Sequence, residues 1–337
     1  MKKLLFFATL VLSLTMLSCQ KTKSYKAKLQ IRYENNAPQD ILLKDYAKAL
    51  FSLDTSNFAE ELKNIQDEFI PFLRGNLDNE DAVRFIKDFV TDTFCLSINK
   101  IKERNFNNGE SLEKDIRSVY QHLNYYYPDI EIPNTTYTYI SGIDYNTPAI
   151  MIQPDAVLIG LDFYLGNDER IYDYVGMPRF RSLRCQPYYI TRDLAQSIYN
   201  TYLEGRHIQK DVLTDMIIAG KRLYFIEAMN PSLPDSVILA YSSKQMEWAN
   251  RFEGDIWASI VGDNMLYSNE VEVFRTLFAD GPFTAAFSNE SPARLGEYIG
   301  LQIIRSYMSN NDVSLQELLK ETDIQNIFQN SYYKPKS

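Results

Sequence analysis

The amino-acid sequence predicts a mainly helical α+β fold, in which one domain is built around a small central β-sheet. Apolar residues recur at spacings of three and four over most of the 337-residue chain, which indicates amphipathic helices. A middle stretch rich in Tyr, Thr and Pro carries short apolar or alternating runs, which indicate strands. Only short Pro, Gly and Ser loops separate these elements, so we predict no linker that divides the chain.

The first 18 residues predict a lipoprotein signal peptide. Two lysines precede an apolar run over residues 4–17, and this run is shorter than the roughly 20 residues that a membrane-spanning helix needs. A basic start and a short apolar core are typical of a secretory signal. Ser18 and Cys19 follow and resemble a bacterial lipobox, in which the cysteine is diacylated and the chain is cut before it. The alternative is a plain signal peptide with an incidental cysteine.

We therefore divide the chain into a signal peptide (residues 1–18), a lipid-anchored tether (19–28) and one domain (29–330). Removing the signal leaves 33 of the 35 basic residues against 44 acidic ones, a formal charge of −11. Such a balance argues against nucleic acid as a partner, because phosphate neutralisation by Lys and Arg dominates that affinity. Lipid through the acylated Cys19 is the first partner that we predict.

The elements follow in order along the chain. A strand is predicted over residues 27–35, where apolar and polar residues alternate, and helices over 56–73, 81–90 and 111–123. Three strands are predicted within residues 125–142, 148–152 and 156–166. Helices then cover residues 190–203, 210–229, 243–261 and 291–308.

The sequence offers few groups for catalysis. It contains no phosphate-binding glycine motif and no G-x-S-x-G. His122 and His207 are its only histidines, so a three-histidine metal site is impossible and no pair has i, i+4 spacing. Cys95 and Cys185 form no C-x-x-C motif and fit two buried thiols as well as a disulfide. We predict no metal, no cofactor and no catalytic residue.

Six segments of the chain stand out together. They are, in order, LIGLDFYLGND, YYITRDLAQSIY, LTDMIIAGKRLYFIEA, YSSKQMEWANRFEGDIWASIVGDNMLYS, DGPFT and SPARLGEYIGLQIIRSYM. In this combination they resemble the gliding-motility lipoprotein GldB family of Bacteroidota. The similarity runs from about residue 42 to about residue 319. It implies an outer-membrane lipoprotein of the cell envelope. Surface-exported lipoproteins of Bacteroidota typically carry acidic residues just after the acylated cysteine. This chain has none there, so we expect it to face the periplasm.

That family in turn resembles zincin-type metallopeptidases, which implies a zincin-like domain. A zincin carries H-E-x-x-H on the helix predicted here from residue 191 and a glutamate beside a glycine on the next helix. Asp193 and Ser197 hold the i, i+4 positions instead, and Ala219 precedes Gly220. A zinc ion without nitrogen ligands cannot be held as a water activator. The resemblance therefore implies an inactive, metal-free scaffold.

Two functions follow from these observations. The first is a non-catalytic envelope protein that binds a protein partner. The alternative is an envelope hydrolase, acting on peptide or cell wall, with an unrecognised carboxylate site. The candidate partner cleft is assigned to polar and aromatic residues of the resembling segments, namely Asp162, Asp193, Lys221, Arg222, Trp248, Trp257 and Glu297.

One glycine pair predicts close helix packing. Gly296 and Gly300 lie four residues apart in the last long predicted helix, where each costs roughly 1 kcal/mol relative to alanine. We predict that a neighbouring helix approaches this face closely. A ligand contact is the alternative.

Overall fold

The computed structural model describes residues 25–31, 41–107, 109–166, 170–205 and 210–335. The elements up to the central sheet are α1 (Tyr25–Leu29), β1 (Leu42–Asp45), α2 (Tyr46–Phe51), α3 (Phe58–Gln66), α4 (Glu80–Thr91), α5 (Thr93–Asn105) and α6 (Glu110–Tyr126). The chain then forms β2 (Thr135–Tyr139), β3 (Ile150–Ile152), β4 (Val157–Gly160) and a 3₁₀ turn (Leu161–Phe163).

The remaining elements are almost entirely helical. They are α7 (Ile171–Tyr174), α8 (Arg179–Ser182), a 3₁₀ turn (Pro187–Tyr189), α9 (Ile190–Ile198), a π-helical turn (Tyr199–Leu203), α10 (Val212–Met229), α11 (Asp235–Ile238), α12 (Ser243–Arg251), α13 (Glu253–Gly262), α14 (Val271–Phe278), α15 (Leu295–Asn310), α16 (Leu315–Lys320) and α17 (Ile324–Ser331). None of the described helices is long and apolar enough to cross a membrane.

The four strands form one sheet in the order β1-β2-β4-β3. Strands β1, β2 and β4 are parallel, and the edge strand β3 runs antiparallel to β4. Val157 and Ile159 join the main helical core, whereas Leu158 joins a second core that includes residues of α2, α3 and α4. Helices therefore cover both faces of the sheet, and a strand buried on both faces reads as a continuous apolar run.

Helices α10 and α15 are the centre of the main core. A Cβ atom built on Gly220 of α10 would lie 2.3 Å from the carbonyl oxygen of Gly300 in α15, closer than any side chain permits. The predicted close approach at Gly300 is therefore confirmed. Gly296 faces a different helix, because its Cβ would lie 2.6 Å from the ring of Phe278 in α14.

The structure confirms a mainly helical α+β fold around a small sheet. The strand predicted over residues 27–35 is wrong at its start, because Tyr25–Leu29 is helical and Leu29 is buried; residues 32–35 lie outside the described residues. Strand β1 and several helices, among them α2, α5, α14, α16 and α17, were not predicted. Helix α3 stops at Gln66 instead of reaching residue 73, and the helix predicted over 243–261 is divided at Phe252.

Candidate functional site

Helix α9 carries the two positions that the zincin resemblance singled out. Both carboxylate oxygens of Asp193 are engaged, since Oδ1 accepts a hydrogen bond from Arg192 (2.9 Å) and Oδ2 accepts one from the Tyr164 hydroxyl (2.9 Å). Burial raises the pKa of Tyr164 well above its ordinary value, so this hydroxyl stays a donor. Ser197 donates its hydroxyl hydrogen to the carbonyl of Ile150 (3.3 Å).

These groups form no open set of metal ligands. Ala219 offers no ligand atom at its position on α10. Within the described ranges, no three His, Cys, Asp or Glu side chains are grouped so that they could hold a metal ion. The arrangement around α9 serves to fix α9 against the sheet.

A chain of ion pairs connects α10 and α15 to the loop that precedes α9. Arg222 donates to Glu297 (2.8 Å), and Glu297 also accepts from Arg294 (3.1 Å). Arg294 lies 3.4 Å from Asp280, which accepts two hydrogen bonds from Arg184 (2.8 and 3.1 Å). Burial alone would raise the pKa of Asp280, but the hydrogen bonds and charge of Arg184 hold it below its ordinary value. This network fixes the guanidinium of Arg184.

Arg184 borders a cleft of about 520 Å³ between α8, the start of α12 and the loop after α14. We call it the arginine cleft. Its charged lining consists of Arg179, Arg184 and Glu290. Its other lining residues are Phe180, Leu183, Tyr188, Tyr189, Ser236, Val237, Ala240, Tyr241, Ser242, Ser243, Gln245, Gly281, Pro282 and Asn289.

A smaller depression of about 210 Å³ shares Arg184 with the arginine cleft and includes Arg181 and Asp193 in its wall. The Phe180 ring lies close to two guanidinium groups. Its centroid is 6.0 Å from the guanidinium carbon of Arg181 and 5.9 Å from the guanidinium carbon of Arg184. The side chains of Arg179 and Arg181 are exposed and form no ion pair with any residue that the structure describes. Two cations without an ion pair to any described residue therefore border this surface.

Three of the seven residues assigned to the candidate partner cleft lie in or beside this network, namely Asp193, Arg222 and Glu297. Asp162 lies elsewhere and is fully buried. Its Oδ2 accepts from the backbone N–H of Ser141 (2.7 Å), the Ser141 hydroxyl (2.9 Å) and the N–H of Ile143 (2.7 Å). Burial raises the pKa of Asp162 in spite of these bonds. The contacts of Asp162 give it a structural role in the loop after β2.

The other three residues of that set are also separate. Lys221 is buried and donates to the carbonyl of Glu321, and burial lowers its pKa to about 8. Trp248 lines a depression of about 300 Å³ that shares Glu290 with the arginine cleft. Trp257 packs edge-on against Tyr333, with ring centroids 5.3 Å apart. The structure thus distributes the seven residues over several locations.

The residues that define the arginine cleft were not predicted, although a signal for them exists. The segment RFRSLRCQPYY, residues 179–189, concentrates three arginines and three aromatic rings and contains no acid, in a chain of formal charge −9. Of the cysteines, Cys95 and Cys185 are free and buried. Cys19, the predicted lipidation site, and His207 lie outside the described residues.

The fold and the site define a mainly helical α+β protein with an open, basic and aromatic cleft. A comparison with curated proteins and with solved structures gives no match, so the zincin relationship stays a proposal. A family model described as gliding motility protein GldB matches residues 26–335. The chain therefore belongs to the GldB family, a family of lipoproteins, as its segments predicted.

Proposed function

We propose that this protein is a non-catalytic, lipid-anchored protein of the outer membrane that acts by binding a protein partner in the arginine cleft. The observation that carries the proposal is a pair of exposed arginines without an ionic partner among the described residues. Arg179 lines the arginine cleft together with the exposed Tyr188, and Arg181 lines the depression that adjoins it. In an acidic chain, such a local cationic surface matches an anionic ligand.

An acidic protein segment is the partner that fits this chemistry. A guanidinium group presents a planar fork of donors that matches a carboxylate. The forks of Arg179 and Arg181 form no ion pair with a described residue, whereas the fork of Arg184 is occupied by Asp280. Tyrosine and arginine are enriched in the contact surfaces of proteins, where they supply most of the binding energy. Ser243 at the polar rim of the cleft offers a hydroxyl to a bound backbone, whereas Ser242 and Gln245 are bonded to each other in a capping box.

We propose that the scaffold works without a metal ion. Both oxygens of Asp193 already accept hydrogen bonds, so a cation would have to share this carboxylate with Arg192 and Tyr164. A carboxylate paired with an arginine is a poor ligand, because the cation would face that positive charge at short range. The anchor is assigned to Cys19, and the orientation towards the periplasm rests on the absence of acidic residues just after it.

Charge reversal tests the cleft. The double variant Arg179→Glu/Arg181→Glu changes two exposed side chains that form no ion pair with a described residue, so it should keep the melting temperature of the wild type. A photo-crosslinking residue placed at position 188 in cells should capture a defined envelope protein. The charge reversal should reduce this product at least tenfold, because like charges then face the acidic partner.

The matched control is Lys48→Glu/Lys100→Glu, which makes the same change in net charge at two exposed lysines outside the cleft. It should leave the crosslinked product unchanged. An equal reduction in both double variants would show that net charge, and not the arginine cleft, governs binding. No reduction in either would overturn the proposed site.

A further inference from the structure

Helix α1, the first described segment after the predicted anchor, is bound to the C-terminal end of α15. The Tyr25 ring centroid lies 5.2 Å from the guanidinium carbon of Arg305, and the Tyr25 N–H donates to the hydroxyl oxygen of Ser309 (3.4 Å). Lys28 donates to the carbonyl of Asn311 (2.5 Å). These contacts hold both ends of α1 against one helix end.

The Arg305 side chain that contacts Tyr25 is itself fixed. It is 6 % exposed and donates to Glu227 of α10 (3.0 Å) and, through two parallel bonds of 2.8 Å, to Asp235 of α11. A bidentate arginine–carboxylate pair of this kind is geometrically specific. The surface against which α1 packs is therefore fixed. The position of α1 on it determines where the chain leaves the domain towards Cys19.

Two exposed tyrosines and one exposed lysine lie at this end of the domain. Tyr125 is 57 % exposed and lies next to Tyr126, whose hydroxyl donates to the carbonyl of Lys28 (3.4 Å). Tyr332 is 67 % exposed and follows Ser331, whose carbonyl accepts a bond from the α15 residue Ser306. The side chain of Lys26, on α1 itself, is exposed too. We call Lys26, Tyr125 and Tyr332 the anchor-end surface.

Chain length keeps this surface close to the membrane. Cys19 lies six residues before Tyr25, so a fully extended chain places them at most about 22 Å apart.

The arginine cleft lies at the opposite end of α15, where the hydroxyl of Tyr241 donates to the carbonyl of Ala293 (2.8 Å) just before the helix starts. Helix α15 has 16 residues and is therefore about 24 Å long.

We propose that the anchor-end surface lies against the headgroups of an anionic bilayer and that the arginine cleft opens away from the membrane. Tyrosine rings are enriched at the level of the headgroups, and each lysine near an anionic surface is attracted to it by about 1 kcal/mol. The protein partner therefore binds in the aqueous space, on the side of the domain that faces away from the membrane. This inference rests on the proposed lipid anchor.

Fluorescence quenching of the full lipidated chain tests the orientation. Tyr332→Cys and Tyr188→Cys place one reactive thiol at each end of the domain, since Cys95 and Cys185 are buried and Cys19 is acylated in the anchored form. Each variant, labelled with the same fluorophore, is bound to vesicles of phosphatidylethanolamine and phosphatidylglycerol that contain a lipid with a spin-labelled headgroup. Quenching should be at least threefold stronger at position 332 than at position 188.

Tyr125→Cys is the matched control for the anchor-end surface and should be quenched as strongly as position 332. Equal quenching at positions 332 and 188 would mean that the domain has no fixed orientation, and stronger quenching at 188 would reverse it; both results overturn the inference alone. A chain that does not sediment with the vesicles contradicts the lipid anchor of the proposed function, and the inference fails with it.

Discussion

A Cβ atom on Gly300 would lie 1.9 Å from the backbone carbonyl oxygen of Met216. No rotation of a side chain can relieve this contact, because both partners belong to helix backbones. Gly220 meets the carbonyl oxygen of Gly300 in the same way, at 2.3 Å. Helices α10 and α15 therefore pack closer than any pair of residues with side chains would allow.

Gly300→Ala should accordingly destabilise the protein even though alanine favours helices. Overpacking a close contact costs about 1–3 kcal/mol and occasionally more, whereas the gain in helix propensity is at most about 1 kcal/mol. Because the contact at Gly300 is between two helix backbones, we expect a cost of about 3 kcal/mol and therefore a net loss of about 2 kcal/mol in the free energy of unfolding, measured by urea denaturation. The loss should be larger for Gly300→Leu.

Gly262→Ala is the control for this prediction, because a Cβ on that helical glycine would meet no atom within 4 Å. It should be neutral or slightly stabilising. If Gly300→Leu instead kept wild-type stability and protein level but failed to complement a deletion, the surface around Gly300 would be a contact site for a partner.

Asp162 should be a structural residue of the loop after β2. It supports Ile143, a non-glycine residue in the left-handed region (φ 61°), by accepting its N–H. Asp162→Ala leaves two buried or half-buried N–H donors without their acceptor, which costs about 1–3 kcal/mol for each. We expect a loss of about 2–6 kcal/mol in unfolding free energy on this basis.

Asp162→Asn keeps one carbonyl oxygen and should lose less than half as much stability as Asp162→Ala. Equal losses in the two variants would show that the carboxylate charge, and not acceptance of the hydrogen bonds, is what the loop requires. If both variants kept wild-type stability but lost partner binding, Asp162 would belong to the candidate partner cleft.

His122 should make stability depend on pH below about 6.5, its ordinary pKa. Burial lowers the pKa of His122 more than its hydrogen bond to the carbonyl of Ser118 (2.8 Å) raises it. The unfolded chain therefore takes up the proton first as the pH falls, so stability is present above pH 6.5 and lost as the pH decreases through the folded pKa.

His122→Gln removes this titration. As the pH is lowered from 7.5 to 5, the wild type should lose unfolding free energy relative to the variant. The loss should be about 1.4 kcal/mol for each unit by which the folded pKa of His122 is lowered. A difference that stays constant over this interval would contradict the assignment of a neutral, buried imidazole.

Cys19→Ala should abolish membrane anchoring. The variant lacks the thiol that is acylated in the lipobox reaction, so it should incorporate no labelled palmitate and should leave the membrane fraction in an alkaline wash. Each methylene of an acyl chain contributes about 0.8 kcal/mol of membrane affinity, so its loss should be complete in fractionation. A variant that still takes up label and stays in the membrane fraction would contradict the lipoprotein assignment.

Local patterns in the sequence were sufficient for the three longest helices, α6, α10 and α15, for five others and for three strands. The three- and four-residue spacing over residues 210–229 and 291–308 predicted α10 and α15, because one face of each must be apolar whatever its neighbours are. Strand β1 was not predicted because its four residues, LLKD, show no alternation of apolar and polar side chains. Its parallel pairing with β2 alone makes it a strand.

The sequence alone determined the family, the fold class, the predicted anchor and the need for a close helix contact at Gly300, since each is a property of neighbouring residues or of ordered segments. Only the tertiary structure decided which charges meet. Arg222, Glu297, Arg294, Asp280 and Arg184 come from four separate parts of the chain, and their contacts depend on how the helices pack. For the same reason, the residues of the predicted cleft, such as Asp162, Lys221 and Trp257, lie apart in the structure. The arginines of residues 179–184 are already neighbours in the sequence, but packing alone places Arg179 and Arg184 beside the start of α12.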